Sequence, residues 1–133
     1  VPHSKTKRNI TDLRYVESDK GYINNLYQGI RSRDVINNFK SRDHLLELWN
    51  NHKKKYGPHC RYTGVELTTK RSTGEGWKPS RPTNLSVDRV DPRLPYEEGN
   101  IVFCSWEFNN RKHGVTPDDC KRILEVYEEI NEN

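Results

Sequence analysis

Asp88, Asn100 and Asn109 fall within one short stretch, residues 85–114, LSVDRVDPRLPYEEGNIVFCSWEFNNRKHG. An aspartate and an asparagine offer oxygen ligands, the donors that hard divalent cations take. A cation held by one carboxylate and one amide keeps coordination positions for a phosphate and for water. The residues between say how such a pair could meet. Leu85-Ser86-Val87-Asp88-Arg89-Val90 alternates, and Ile101-Val102-Phe103-Cys104 is a second apolar run beyond a Pro-rich acidic loop. The polar end Asn109-Asn110-Arg111-Lys112 comes just before Gly114. The pattern predicts strand, loop, strand and short helix, with Asp88 where the first strand ends and Asn109 on the helix.

The other elements must frame that stretch. From Gly21 the spacing predicts a helix with Tyr22, Ile23, Leu26, Tyr27 and Ile30 on one stripe, closed by Arg31 and Arg33. Ser41 reads as the N-cap of a second helix carrying Leu45, Leu46, Leu48 and Trp49, and Gly57-Pro58 ends it. Residues 59–67 read as a tight turn opening a hairpin. Residues 70–84 read as a long exposed loop around Trp77. Thr116-Pro117-Asp118-Asp119 is a helix start, with Thr as N-cap and Pro at the first helical position. Ile123, Leu124, Val126, Tyr127 and Ile130 are expected to form its buried face, under an acidic outer face.

The bulk numbers narrow the class. A chain of 133 residues is one domain, 21–133, with a basic arm at 1–20 that contains His3, Lys5, Lys7, Arg8 and Arg14. Only 31% of residues are hydrophobic, so the core is small. No apolar run reaches the ~20 residues of a membrane span, and no signal peptide is visible, so a cytoplasmic protein is expected. Residues 1–82 carry a net +9 and residues 83–133 a net −5. A basic half suits a polyanion, and nucleic acid is the commonest. Arg61, Lys70, Arg71, Lys78 and Arg81, with Trp77 among them, fit a nucleic-acid contact. Cys60, Cys104 and Cys120 form no CxxC pair, which argues for free thiols rather than a disulfide framework.

The frame Cys60-x-x-Thr63-Gly64, Ser86-Val87-Asp88-Arg89-Val90-Asp91, Tyr96-x-x-Gly99-Asn100 and Asn109-x-x-Lys112 resembles the HNH endonucleases, the His-Me finger or ββα-metal superfamily. The likeness is to the small members common in phage genomes and covers roughly residues 20–132. It implies an α+β fold: a two-stranded antiparallel hairpin plus short helix, the ββα-metal finger, set between flanking helices. It implies Asp88 and Asn109 as ligands of one Mg²⁺ or Mn²⁺, and Asn100 as the clamp of the inter-strand loop. The implied activity is endonucleolytic hydrolysis of DNA, double-stranded for preference, in homing or restriction.

Two departures matter. Most members have His where Arg89 stands, and an arginine with a pKa above ~12 is no simple base. A minority branch with Asp-Arg also resembles this chain at His59-Cys60-Arg61-Tyr62. There the Tyr is the attacking group and the Arg braces charge. Carried over, Tyr62 is a candidate nucleophile, and Arg89 lowers its pKa or holds the phosphate. His59, His113 and Asp91 are alternative bases, and Lys112 a further phosphate contact. Many relatives also carry a four-Cys zinc site. Here those positions are Cys60, Thr63, Ser105 and Phe108, so no structural zinc is expected. A two-strand cut would favour a homodimer. The competing expectation is a nuclease-derived DNA-binding module with little or no catalysis.

Overall fold

The computed structural model describes residues 17–33, 36–70 and 81–132. The expectations for residues 1–16 and for Arg71, Trp77 and Lys78 lie outside them. Among the described residues the architecture is α+β. It comprises helices α1 (Asp19–Arg31) and α2 (Arg42–Tyr56), strands β1 (Leu85–Arg89) and β2 (Ile101–Ser105), and helices α3 (Trp106–Lys112) and α4 (Pro117–Glu132). The two strands form one antiparallel hairpin, with Leu85 opposite Ser105, Val87 opposite Phe103 and Arg89 opposite Ile101. No helix among the described residues is long and apolar enough to cross a membrane.

α1 begins earlier than its apolar stripe does. Ser18 caps it by accepting from the Gly21 N–H at 3.2 Å. Asp19 in its first turn accepts from Trp49 Nε1 at 3.2 Å and pairs with Lys53 on α2. The boundary of the basic arm, expected at residue 20, therefore moves back, because residues 17–20 are tied to the core by polar contacts that a hydrophobic pattern does not register. Thr69 Oγ1 adds a hydrogen bond to Glu17 O at 2.7 Å.

Strand alternation does the sorting that positions the site. Leu85 and Val87 join Tyr22, Ile23, Leu26, Ile30, Leu45, Trp49 and Phe103 in the core. The Tyr22 hydroxyl donates to Leu85 O at 2.9 Å and fastens α1 to β1. Ser86 and Asp88, one step out of phase, meet α3 instead through Asn109 and Lys112. Both faces of β1 are covered, so Leu85, Ser86, Val87 and Asp88 are all buried.

Ser105 ends β2 and caps α3, accepting from Phe108 N at 3.2 Å. α3 runs for two turns and stops at His113, whose φ of 43° lies in the left-handed region. Thr116 caps α4 through Asp119 N at 3.1 Å, as its sequence predicts. The buried face expected for α4 is not there. Ile123, Leu124, Tyr127 and Ile130 are 55–69% exposed and Val126 39%. The spacing made the helix amphipathic, but among the described residues no other element covers its apolar side.

Candidate active site

Asp88 stands near the end of β1, beside the start of the loop, and Asn109 sits in α3, its amide reaching β1. Together they line a cleft of about 310 Å³, shared with Arg33, Arg89, Tyr96 and His113. The Asp88 carboxylate is buried, and its Oδ2 is engaged twice. Tyr62 donates its hydroxyl at 2.7 Å, and Lys112 Nζ lies at 3.0 Å. Lys112 also donates to Arg89 O at 3.0 Å, so the last turn of α3 is stitched to the end of β1. Asn109 Nδ2 donates to Ser86 Oγ at 2.7 Å and, at a longer 3.4 Å, to Val87 O. A carbonyl can only accept, so the amide nitrogen belongs on that side and the amide oxygen on the other.

Tyr62 packs its ring on Phe108, centroids 5.0 Å apart, under the hairpin. Burial raises its pKa well above the usual phenol range, and the hydrogen bond to Asp88 adds to the rise. The hydroxyl is held as a phenol aimed at a carboxylate. Arg89 does not oppose that effect, contrary to the expectation that it lowers the Tyr62 pKa. Its Nη1 donates to Leu94 O at 3.2 Å, and its guanidinium stacks 4.9 Å from the centre of the Tyr96 ring. The reason is local: the loop after β1 folds back and offers both a carbonyl and an aromatic face to the long side chain.

Asn100 spans that loop. Its Oδ1 accepts from Asp91 N at 3.0 Å, and its Nδ2 donates to Asp91 O at 3.1 Å and Pro95 O at 3.0 Å. Three of the four lone-pair and N–H directions of a buried amide are used by one loop. Gly99, at φ 93°, provides the left-handed turn that brings Asn100 back under it.

The three alternative bases part company. His113 lines the Asp88 cleft and is exposed. His59 lines a different cleft with Tyr56, Cys60 and Arg61. Asp91 is gripped by Arg93, whose Nε and Nη2 each lie 2.9 Å from its oxygens. That hydrogen bond holds the Asp91 pKa below the usual carboxylate range, which makes it a weaker base. The structure thus gathers Asp88, Arg89, Asn109, His113 and, through their contacts, Tyr62 and Lys112. His59 and Asp91 do not line this cleft.

Arg61, Lys70 and Arg81 are exposed but do not line the cleft. Arg61 stacks 4.1 Å from the centre of the Tyr56 ring instead. Cys60 is buried, and its sulfur accepts from Ser105 N at 3.3 Å and Thr63 N at 3.4 Å, tying the 60–64 turn to the hairpin.

Two contributors escape sequence reasoning. Arg33, read as a helix end, reaches the same cleft, and its Nη1 donates to the Tyr96 hydroxyl at 2.5 Å. Nothing in local spacing links residue 33 to residue 88. Ser86, which fixes the Asn109 amide, was visible in principle: it shares a strand face with Asp88.

Among the described residues no group of three or more His, Cys, Asp or Glu side chains is placed to hold a metal ion. A site built on one carboxylate and one amide is not of that kind. The donor set still fits a hard cation: Asp88 Oδ1 and Asn109 Oδ1 are oxygens that the hydrogen bonds above do not use. Against models of known families, curated proteins and solved structures, the chain finds no match.

Proposed function

We propose that this cleft is the active site of a divalent-metal-dependent endonuclease of the HNH type that hydrolyses DNA phosphodiester bonds. One observation carries the reading: Asp88 from β1 and Asn109 from α3 line a single cleft, each with a hard oxygen to spare, beside two arginines. Asp88 and Asn109 would hold one Mg²⁺ or Mn²⁺. When bound, such an ion supplies Lewis-acid stabilisation of the charge that builds on the phosphate.

The chain's own groups do the rest. Arg33 and Arg89, both beside the Tyr96 ring, brace the anionic phosphate. Tyr62 orients the Asp88 carboxylate by donating to it. Through that contact it positions the ligand, and in this reading it does so in place of attacking. The attack falls to water, with His113 as the acceptor of its proton at the mouth of the cleft. Ser86 fixes the Asn109 amide with its oxygen free for ligation, and Asn100 holds the loop that presents Arg89.

A second reading, a DNA-binding module without catalysis, draws on the ion pair between Asp88 and Lys112. Both side chains are only 8% exposed, so an ammonium already neutralises the carboxylate. Nicking of supercoiled plasmid under Mg²⁺, Mn²⁺ and EDTA separates the two. The nuclease reading expects metal-dependent nicking that falls about 10²-fold or more in Asp88→Ala and Asn109→Ala. Undiminished nicking by purified Asp88→Ala would remove it. Lys112→Gln sharpens the choice. Removing one partner of a buried pair costs about 3–5 kcal/mol. A dication at Asp88 should return part of that loss, so Mn²⁺ should raise the Tm of Lys112→Gln more than that of wild type.

A further inference from the structure

α3 borders two cavities with one face. Trp106, Asn109 and Asn110 stand at i, i+3 and i+4, on one side of the helix. Asn109 and Asn110 line the Asp88 cleft, and with Arg33 they also line a second cavity of about 510 Å³. Trp106 belongs to that second cavity alone, about one helical turn, ~5.4 Å, from Asn110. Leu26, Ile30 and Val87 make its apolar side, and no carboxylate lines it.

Trp106 is not placed as a core residue is. Trp49 is buried, stacks on His52 and donates from Nε1 to Asp19. Trp106 is half-buried, and among the described residues its indole stacks on no other ring and its indole N–H has no acceptor. The Asn110 amide is exposed and likewise without a hydrogen bond among them. A free aromatic face beside a free amide suits a nucleobase, which needs a surface to stack on and a partner for its polar edge. Arg33 lines both cavities, so a phosphate that it holds brings the attached nucleotide to the mouth of the second.

We propose that this second cavity is a subsite for one nucleobase, stacked on Trp106, of the nucleotide joined to the phosphate in the cleft. A base paired inside a duplex has both faces covered by its neighbours and must leave the stack to lie on an indole. The substrate class that follows is DNA with an unpaired nucleotide at the cut. The inference rests on the nuclease reading for the phosphate in the cleft, but its test needs no cleavage.

The test is binding by fluorescence anisotropy in EDTA, where no metal supports cleavage. Three labelled duplexes of one sequence are compared: fully paired, with a one-nucleotide bulge, and with the same bulge lacking its base. The last two carry equal charge, so phosphate contacts cancel between them. Wild type should bind the bulge about tenfold or more tighter than the abasic bulge. Trp106→Ala should lose that ratio, and Trp106→Phe should keep most of it. Circular dichroism checks that each variant is folded. If Trp106→Ala does not fold, Asn110→Ala, at an exposed position, replaces it and should lower the ratio. Equal binding of the two bulges by wild type overturns the proposal, as does a ratio that survives the variant tested or a failure to bind any of the three. Plasmid nicking judges the nuclease reading separately. Nicking with equal binding strikes the subsite alone, and a Trp106-dependent ratio without nicking under any metal strikes the nuclease alone.

Discussion

α1 and α4 carry apolar stripes of the same kind, and the fold uses them in opposite ways. On α1, Tyr22, Ile23, Leu26 and Ile30 are at most 9% exposed. On α4, the five corresponding side chains are at least 39% exposed. Composition does not explain the difference, since both helices offer isoleucine, leucine and tyrosine to one side. Connection does. α1 is fixed to its neighbours by directional contacts: Tyr22 to β1, Asp19 to Trp49 and Lys53 of α2. α4 leaves the body after His113, and a side chain that links it back is the exposed pair Arg93–Asp118 at 3.3 Å. Periodicity specifies that a helix has a face; polar anchors specify which surface that face meets.

The comparison breaks first at α1. Ile23→Ala should cost about 2–5 kcal/mol in chemical denaturation, because Ile23 is fully enclosed and its cavity cannot collapse freely. A loss below 1 kcal/mol would mean that α1 is no better partnered than α4.

Asn100→Ala probes the polar anchoring of the site itself and should cost about 2–3 kcal/mol. It leaves one N–H and two carbonyls of the 91–95 loop without their amide partner. If nicking is present, it should fall with the loop, since Arg89 donates to Leu94 O. Equal stability of Asn100→Ala and wild type would show that the loop holds its shape by other means.

Acid should distinguish the packed half of the molecule from α4. His52 is buried between Trp49 and Phe103, with ring centroids at 5.3 Å and 5.5 Å, and its Nε2 lies 2.8 Å from His59 O. Burial lowers its pKa from the ordinary 6.5, with the bond to His59 O pulling the other way. The unfolded chain therefore binds this proton more readily than the folded one. Its stabilising effect is complete above pH 6.5 and is lost as pH falls from there towards the lowered folded value. One proton sets a slope of at most about 1.4 kcal/mol per pH unit. Urea midpoints at pH 7.5, 6 and 5 should fall more steeply for wild type than for His52→Gln. Parallel curves would assign the acid sensitivity elsewhere.

What the residues disclosed beforehand follows the same division. The hairpin, the short helix after it and the caps at Ser41 and Thr116 are local signals, and local signals survive folding. Asp88 and Asn109 could be placed on adjoining elements because a hairpin followed directly by a helix leaves little choice of geometry. Arg33 could not, since its arrival in the cleft depends on how α1 lies across β1, a tertiary fact fixed by Tyr22 and Leu85. Nor could the direction of Arg89, which is decided by a loop carbonyl and the Tyr96 ring. The expected burial of α4 failed for the reason already given: amphipathicity was read as a partner within the chain.

The smallest effect is the most telling for α4. Ile123→Ala, measured at a concentration where the protein is monomeric, should change stability by no more than about 0.5 kcal/mol. The side chain is 63% exposed, so truncation removes little area that folding took from water. Alanine also has the higher helix propensity, which offsets part of what is lost. The same substitution at position 23 of α1 removes the same atoms from a closed cavity. The difference between the two costs is thus a direct measure of what the core contributes around α1 and withholds from α4. A loss of 2 kcal/mol or more at Ile123 in the monomer would show that α4 is covered within its own chain, and the two helices would then be alike after all.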